Sequence, residues 1–190
     1  SKKKFIYLML MLNKMDSFSI EDFNEEFLEK IRSFLQGVKT LAILGVGNED
    51  NGDDAVGLKV IDILEEKTLP NWVKLYYCER VPEHFIGKLD KLKPNRIIVI
   101  DAADMKDSPG VIAIFPKEII SKEYNFSTHT LSLTMLEEFL SYTIKDLDIL
   151  YVGIQPKYTV FESPLSEECF KSAIELSNLL YFIINENEQN

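Results

Sequence analysis

Leu41-Ala42-Ile43-Leu44-Gly45-Val46-Gly47-Asn48-Glu49-Asp50-Asn51-Gly52-Asp53-Asp54-Ala55-Val56-Gly57 is the stretch that decides the architecture of this chain. An apolar run, a glycine-rich turn and then Val56, Val60, Ile63 and Leu64 at helical spacing read as strand, turn and helix. A strand that is apolar at every position is covered on both faces, the habit of parallel sheets flanked by helices. The turn itself is acidic. Glu49, Asp50, Asp53 and Asp54 stand where a phosphate cradle would present free amides and a lysine.

The same alternation continues downstream. Val73 to Glu79 reads as a second strand, and Val81-Pro82-Glu83 opens a helical segment that ends near Leu92. Arg96-Ile97-Ile98-Val99-Ile100-Asp101 is the most strongly β-patterned run, and after Pro109-Gly110 the run Val111 to Phe115 reads as a hairpin or edge strand. A helix from Leu131 to Tyr142, a strand from Asp148 to Ile154 and a helix opened by Ser166 complete the series, with Asn185 to Asn190 expected to fray. Phe126, Met135 and Phe139 are expected in the core. Upstream, Ser19 with Asp22 forms a capping box, and Ile20, Phe23, Phe27, Ile31, Phe34 and Leu35 recur at helical spacing before Gly37. The expected fold is α/β, a three-layer α/β/α sandwich around a twisted, mostly parallel five-stranded sheet of the phosphorylase/hydrolase-like kind. Residues 1–37 are expected to be an N-terminal arm and extra helix packed on the core, and 38–190 a single domain.

Composition narrows the function classes. At 46% hydrophobic and 27% charged, the 190 residues are those of an ordinary globular domain. With 21 basic and 31 acidic residues the net charge is -10, which argues against nucleic acid or an anionic membrane as partner. Lys2-Lys3-Lys4 and the apolar run Phe5 to Leu12 resemble the start of a signal peptide, but no small-residue cleavage site follows. That run is also far short of the roughly 20 residues a bilayer requires. Cys78 and Cys169 have no metal or redox spacing and read as buried thiols in a reducing cytoplasm.

In open α/β sheets, ligands collect at the carboxyl ends of the strands. The acidic turn ends the first strand, Asp101 closes the third, and Ser127-Thr128-His129-Thr130 leads into a helix. Asp53 or Asp54, Asp101 and His129 are therefore expected to converge, and two carboxylates with one imidazole leave coordination positions open, as at a catalytic or transient metal. Each residue also has a plainer role open to it: Asp101 as a turn residue, Asp54 as a helix N-cap, His129 as the first residue of a helix. Glu49 and Asp50 read as a solvated rim, Asp53 as a helix cap, and His84 as a surface residue. Ser127 and Cys169 have no neighbouring base that would make either a nucleophile. A dinucleotide site fits poorly, because Gly45-x-Gly47-x-x-Asp50 lacks the third glycine and Glu79 lies too far along for a ribose acid.

Taken in order, several motifs resemble the hydrogenase maturation endopeptidase family. They are Gly45-Val46-Gly47-Asn48, Gly52-Asp53-Asp54-Ala55-Val56-Gly57, Val81-Pro82-Glu83, Ile100-Asp101-Ala102-Ala103-Asp104-Met105, Ser127-Thr128-His129 and Val152-Gly153-Ile154-Gln155-Pro156. The likeness runs from Thr40 to Leu180. It is strongest, in the Gly-Asp-Asp loop and the Gly-Ile-Gln-Pro strand end, to the branch that processes hydrogenase 3 type enzymes. The resemblance implies a peptidase that removes a C-terminal extension from the nickel-loaded large-subunit precursor of a [NiFe] hydrogenase. It implies that Asp54, Asp101 and His129 meet nickel brought by that precursor and are the catalytic set, either through the metal or as an aspartic-type carboxylate pair. Some relatives carry Glu at the Asp54 position, one methylene longer. The expected partner is the precursor alone, with no nucleic acid and no membrane, and the expected state is a cytoplasmic monomer. A metal-sensing chaperone that binds the precursor without cutting it would need the same three ligands.

Overall fold

The computed structural model describes residues 25–115 and 130–188. Strands β1 (Leu41–Gly45), β2 (Val73–Tyr77), β3 (Arg96–Ala102), β4 (Ile112–Phe115) and β5 (Asp148–Ile154) form one sheet in the order β2-β1-β3-β5-β4. β1 is parallel to β2 and β3, and β3 to β5, so the expected mostly parallel α/β sheet is the one the chain builds. β4 takes the edge. It pairs antiparallel with β5, Ile114 opposite Val152, and forms no hairpin with the preceding β3.

Among the described residues five helices flank the sheet: α1 (Glu25–Leu35), α2 (Val56–Glu65), α3 (Ile86–Leu92), α4 (Thr130–Thr143) and α5 (Glu167–Glu188). The pleat sends alternate side chains to opposite faces and so sorts the core into two layers. Ile43, Ile98, Ile100 and Val152 pack with Ile31, Leu35, Val60, Ile61, Leu64, Leu176 and Leu180 of α1, α2 and α5. Leu44, Ile97, Val99 and Tyr151 pack with Leu89, Leu133, Leu136 and Leu140 of α3 and α4. Each such aliphatic side chain contributes about 1.5–3 kcal/mol by leaving water, which is what holds the three layers together.

Two expectations need correction. Met135 and Phe139 are not core residues: they are 52% and 47% exposed, because α4 turns Leu133, Leu136 and Leu140 to the sheet and leaves these two on its outer side. The last helix does not fray from Asn185 but continues to Glu188. Arg32 of α1 pairs with Glu186 at 3.3 Å, and the Asn185 and Asn187 side-chain amides donate back to the Tyr181 and Ile183 carbonyls. The Ser19–Asp22 capping box and Phe126 lie outside the described residues.

From β1 the chain moves outward to β2, whereas from β3 it moves to the other side of the sheet. The carboxyl ends of β1 and β3 therefore flank the point where the strand order reverses, where α/β sheets open a crevice.

Candidate active site at the carboxyl ends of β1 and β3

The backbone after β1 is held on both sides. Val46 N–H donates to the Ile100 carbonyl at 2.9 Å and Gly47 N–H to the Glu79 carbonyl at 3.0 Å, extending the sheet contacts past the strand. Gly47 (φ 151°) then turns the chain, Asn48 N–H donates to the Asp54 carbonyl at 3.2 Å, and a 3-10 turn, Gly52–Ala55, leads into α2. Gly57 in the first turn of α2 touches β3 directly. A methyl group there would run into the Ile100 carbonyl, and the Val46 carbonyl would lie 2.5 Å away. Only glycine lets the turn carrying Asp54 sit this close to the residue before Asp101.

Asp54, in the 3-10 turn that follows β1, and Asp101, near the end of the neighbouring β3, are both buried, 5% and 1% exposed. Asp101 lies within β3 rather than after it, opposite Gly153, and its Oδ1 accepts the Ala102 N–H at 2.8 Å. By the pleat it shares a face with Ile97 and Val99, the face covered by α3 and α4. The 3-10 turn Pro82–Phe85 packs on α4, whose first residue follows His129 directly in sequence. His129 itself, with Ser127, lies outside the described residues. Among the described residues no three His, Cys, Asp or Glu side chains assemble as a metal-binding set. Two carboxylates are the part of the expected ligand set that these residues can supply, and hard oxygen donors of this kind suit a divalent cation.

Asp53 is not the helix cap expected of it. Neither the 3-10 turn nor α2 has a side-chain cap, and the Asp53 carboxylate, fully buried, reaches across to the chain after β5. It accepts the N–H groups of Lys157 (2.8 Å), Tyr158 (3.2 Å) and Ser166 (2.6 Å) and the Ser166 hydroxyl (2.9 Å). Ser166 in turn caps α5, its Oγ accepting the Cys169 N–H at 3.3 Å. A carboxylate with four donors is a satisfied structural group.

Gln155, in the Gly-Ile-Gln-Pro strand end, organises the segment after Asp101. Its Oε1 accepts Met105 N–H at 2.6 Å and Asp107 N–H at 3.3 Å, while its own N–H and carbonyl tie to Val111 and Gly110. Nothing in a lone Gln-Pro pair signals this, because the partners lie some fifty residues away.

Glu49 and Asp50 are exposed as expected, Glu49 accepting a hydrogen bond from the Tyr77 hydroxyl, and His84 is exposed on its turn. Burial pushes the Cys169 thiol up to about 11, and it donates to the Gln155 carbonyl at 3.3 Å. Burial pushes the Cys78 thiol up as well. Both stay protonated at neutral pH, so neither is an activated nucleophile. A cleft of about 810 Å³ lined by Arg32, Leu35, Trp72 and Glu186 lies at the amino-terminal edge of the sheet, away from the carboxylates. Among the described residues no helix is long and apolar enough to cross a membrane.

Comparison with known proteins agrees with this layout. The family model described as hydrogenase maturation protease (HycI) matches residues 59–180, beginning just beyond the acidic turn. A Methanocaldococcus jannaschii protein with a provisional hydrogenase maturation protease name is 39% identical over 165 residues, covering 83% of this chain and 96% of its own. The hydrogenase 3 maturation protease of Escherichia coli is 31% identical over 136 residues, covering 72% and 85%. The crystal structure of the [NiFe] hydrogenase maturation protease HycI from Thermococcus kodakarensis superposes with a TM-score of 0.68 at 25% identity, over 82% of this chain and 99% of that one. The fold is thus shared along nearly the whole length of these proteins, and the chain belongs to the hydrogenase maturation protease family.

Proposed function

We propose that this protein is the endopeptidase that removes a C-terminal extension from the large-subunit precursor of a [NiFe] hydrogenase, acting in the cytoplasm as a monomer on precursor already loaded with nickel. The observation that carries this reading is the placement of Asp54 and Asp101, both buried, in the turn after β1 and near the end of the neighbouring β3. In this reading the nickel arrives as part of the substrate. Asp54, Asp101 and His129 complete its coordination and thereby bring the extension to the strand ends, so that only loaded precursor is held for cutting. The reaction is hydrolysis of one peptide bond: water adds to the carbonyl carbon, the C–N bond breaks, and a proton passes to the departing amine. A carboxylate such as Asp54 or Asp101 is a group able to carry that proton.

The test is to mix purified protein with nickel-loaded and nickel-free precursor and to weigh the products. Loss of a C-terminal peptide from the loaded form only is the expected result. A stable complex with uncut precursor would instead identify a metal-sensing chaperone.

A further inference from the structure

The segment after β5, residues 157–163, is held against the acidic turn at both of its ends. Lys157 and Tyr158 donate to the Asp53 carboxylate, and Asp53 N–H returns a bond to the Tyr158 carbonyl at 3.1 Å. Asn51 bridges to Ser163, and Glu162 N–H donates to the Asp50 carbonyl at 2.7 Å. At its tip Ser163 N–H closes a turn onto the Val160 carbonyl at 3.2 Å, with Glu162 at φ 58°, a conformation that normally favours glycine. This rigid, locally strained turn holds two large apolar side chains out in solvent: Val160 is 58% and Phe161 67% exposed. Beside them stand two exposed acids, Glu162, next in the chain, and Asp50, whose carbonyl holds Glu162, and neither carboxylate meets a cation among the described residues. Lys157, the nearest base along the segment, is already paired with Glu168 at 2.6 Å.

We infer that Val160 and Phe161 are an apolar anchor, flanked by two acids, that docks a basic and apolar segment of the precursor beside its scissile region. This rests on the functional reading above and extends it. The segment that presents the anchor is bonded through Asp50, Asn51 and Asp53 to the turn that carries Asp54, so a protein seated on Phe161 is positioned relative to Asp54. Exposed apolar side chains on a mobile loop could fold back onto the core; here the hydrogen bonds on both sides forbid it, the arrangement expected of a preorganised contact. The charge of these acids selects the partner's sign. Unpaired acids repel an anionic membrane and a second copy of this acidic chain, and they attract Lys or Arg.

Steady-state cleavage of nickel-loaded precursor provides the test, comparing wild type with Phe161→Ala, Asp50→Lys and Glu162→Lys, and with Tyr142→Ala as control. Tyr142 is 92% exposed at the far end of α4 and belongs to no site described above. Phe161→Ala is expected to raise KM about tenfold with kcat within about twofold, as for loss of an interface anchor. The two lysine variants are expected to raise KM several-fold and to flatten its rise with added salt, since the attraction they remove is a screened one. Tyr142→Ala should match wild type, and because all these side chains are exposed the melting temperatures should stay together. Wild-type cleavage with an unchanged KM in Phe161→Ala overturns the docking assignment, as does loss of a self-associated dimer in that variant without a change in KM. Intact precursor in the wild-type reaction overturns the functional reading itself, and the docking assignment falls with it.

Discussion

The buried Asp53 carboxylate accepts the backbone N–H of Ser166 at 2.6 Å, joining the turn after the first strand to the start of the last helix. Through this contact and three others, one side chain fixes the acidic turn, the 157–158 segment and α5 together. Asp53→Ala would leave three backbone donors facing a cavity. Loss of charge-assisted bonds at a buried site costs on the order of 3–5 kcal/mol, so the variant should unfold at clearly lower urea concentration. Asp53→Asn keeps one acceptor oxygen and should recover part of the loss. A melting profile unchanged by Asp53→Ala would sink the idea of a clamp.

The neighbouring acid is predicted to behave in the opposite way. Asp54→Asn, Asp101→Asn and His129→Ala should leave the fold stable and lower precursor cleavage by about a hundredfold or more, the scale of a lost proton-transfer or positioning group. Asp54→Glu should retain part of the activity, because it keeps the carboxylate and shifts it by one methylene. Circular dichroism and cleavage assays on the same preparations separate the two kinds of loss; full cleavage by His129→Ala would remove His129 from the site.

These two aspartates also show how far the sequence could be read. The order of strands and helices was legible because Leu41 to Leu44 and Arg96 to Asp101 carry continuous apolar runs, and burial on both faces leaves no other pattern. That Asp101 ends a central parallel strand and Asp54 lies in the turn after its neighbour was legible from the same pattern. The partners of the Asp53 carboxylate were not legible: Lys157, Tyr158 and Ser166 lie more than a hundred residues away, and no local spacing records them. The bonds from Met105 and Asp107 to Gln155 were hidden for the same reason. Met135 and Phe139 were misplaced because residue type alone does not say which side of α4 faces the sheet.

Gly57 and Gly87 make a paired prediction. At Gly57 a methyl group meets the fixed carbonyls of Ile100 and Val46, whereas at Gly87, in α3, it meets nothing within 4 Å. Gly57→Ala should therefore cost about 1–3 kcal/mol, the range for overpacking, and should lower cleavage further by moving the Asp54 turn away from β3. Gly87→Ala should be neutral or stabilising by roughly 0.5–1 kcal/mol, since alanine restricts the unfolded chain and favours the helix. Equal melting temperatures for the two variants would show that the close approach at Gly57 is not tight.

Alkaline pH should expose the two buried thiols. Burial moves Cys169 from a thiol value of 9.0 up to about 11, and it moves Cys78 upward too. Between those two values the folded protein keeps the Cys169 proton that the unfolded chain gives up, so the unfolded state binds fewer protons and the slope of stability against pH is negative. The contribution is complete below about 9 and is lost as pH rises through about 11. Cys169→Ser removes this titration while keeping a small side chain able to donate to the Gln155 carbonyl. Denaturant unfolding followed from neutral pH to about 10.5 should show wild type losing stability faster than Cys169→Ser, with Cys78→Ala moving the same way. Parallel curves for wild type and both variants would mean that neither thiol is held out of water in the folded protein.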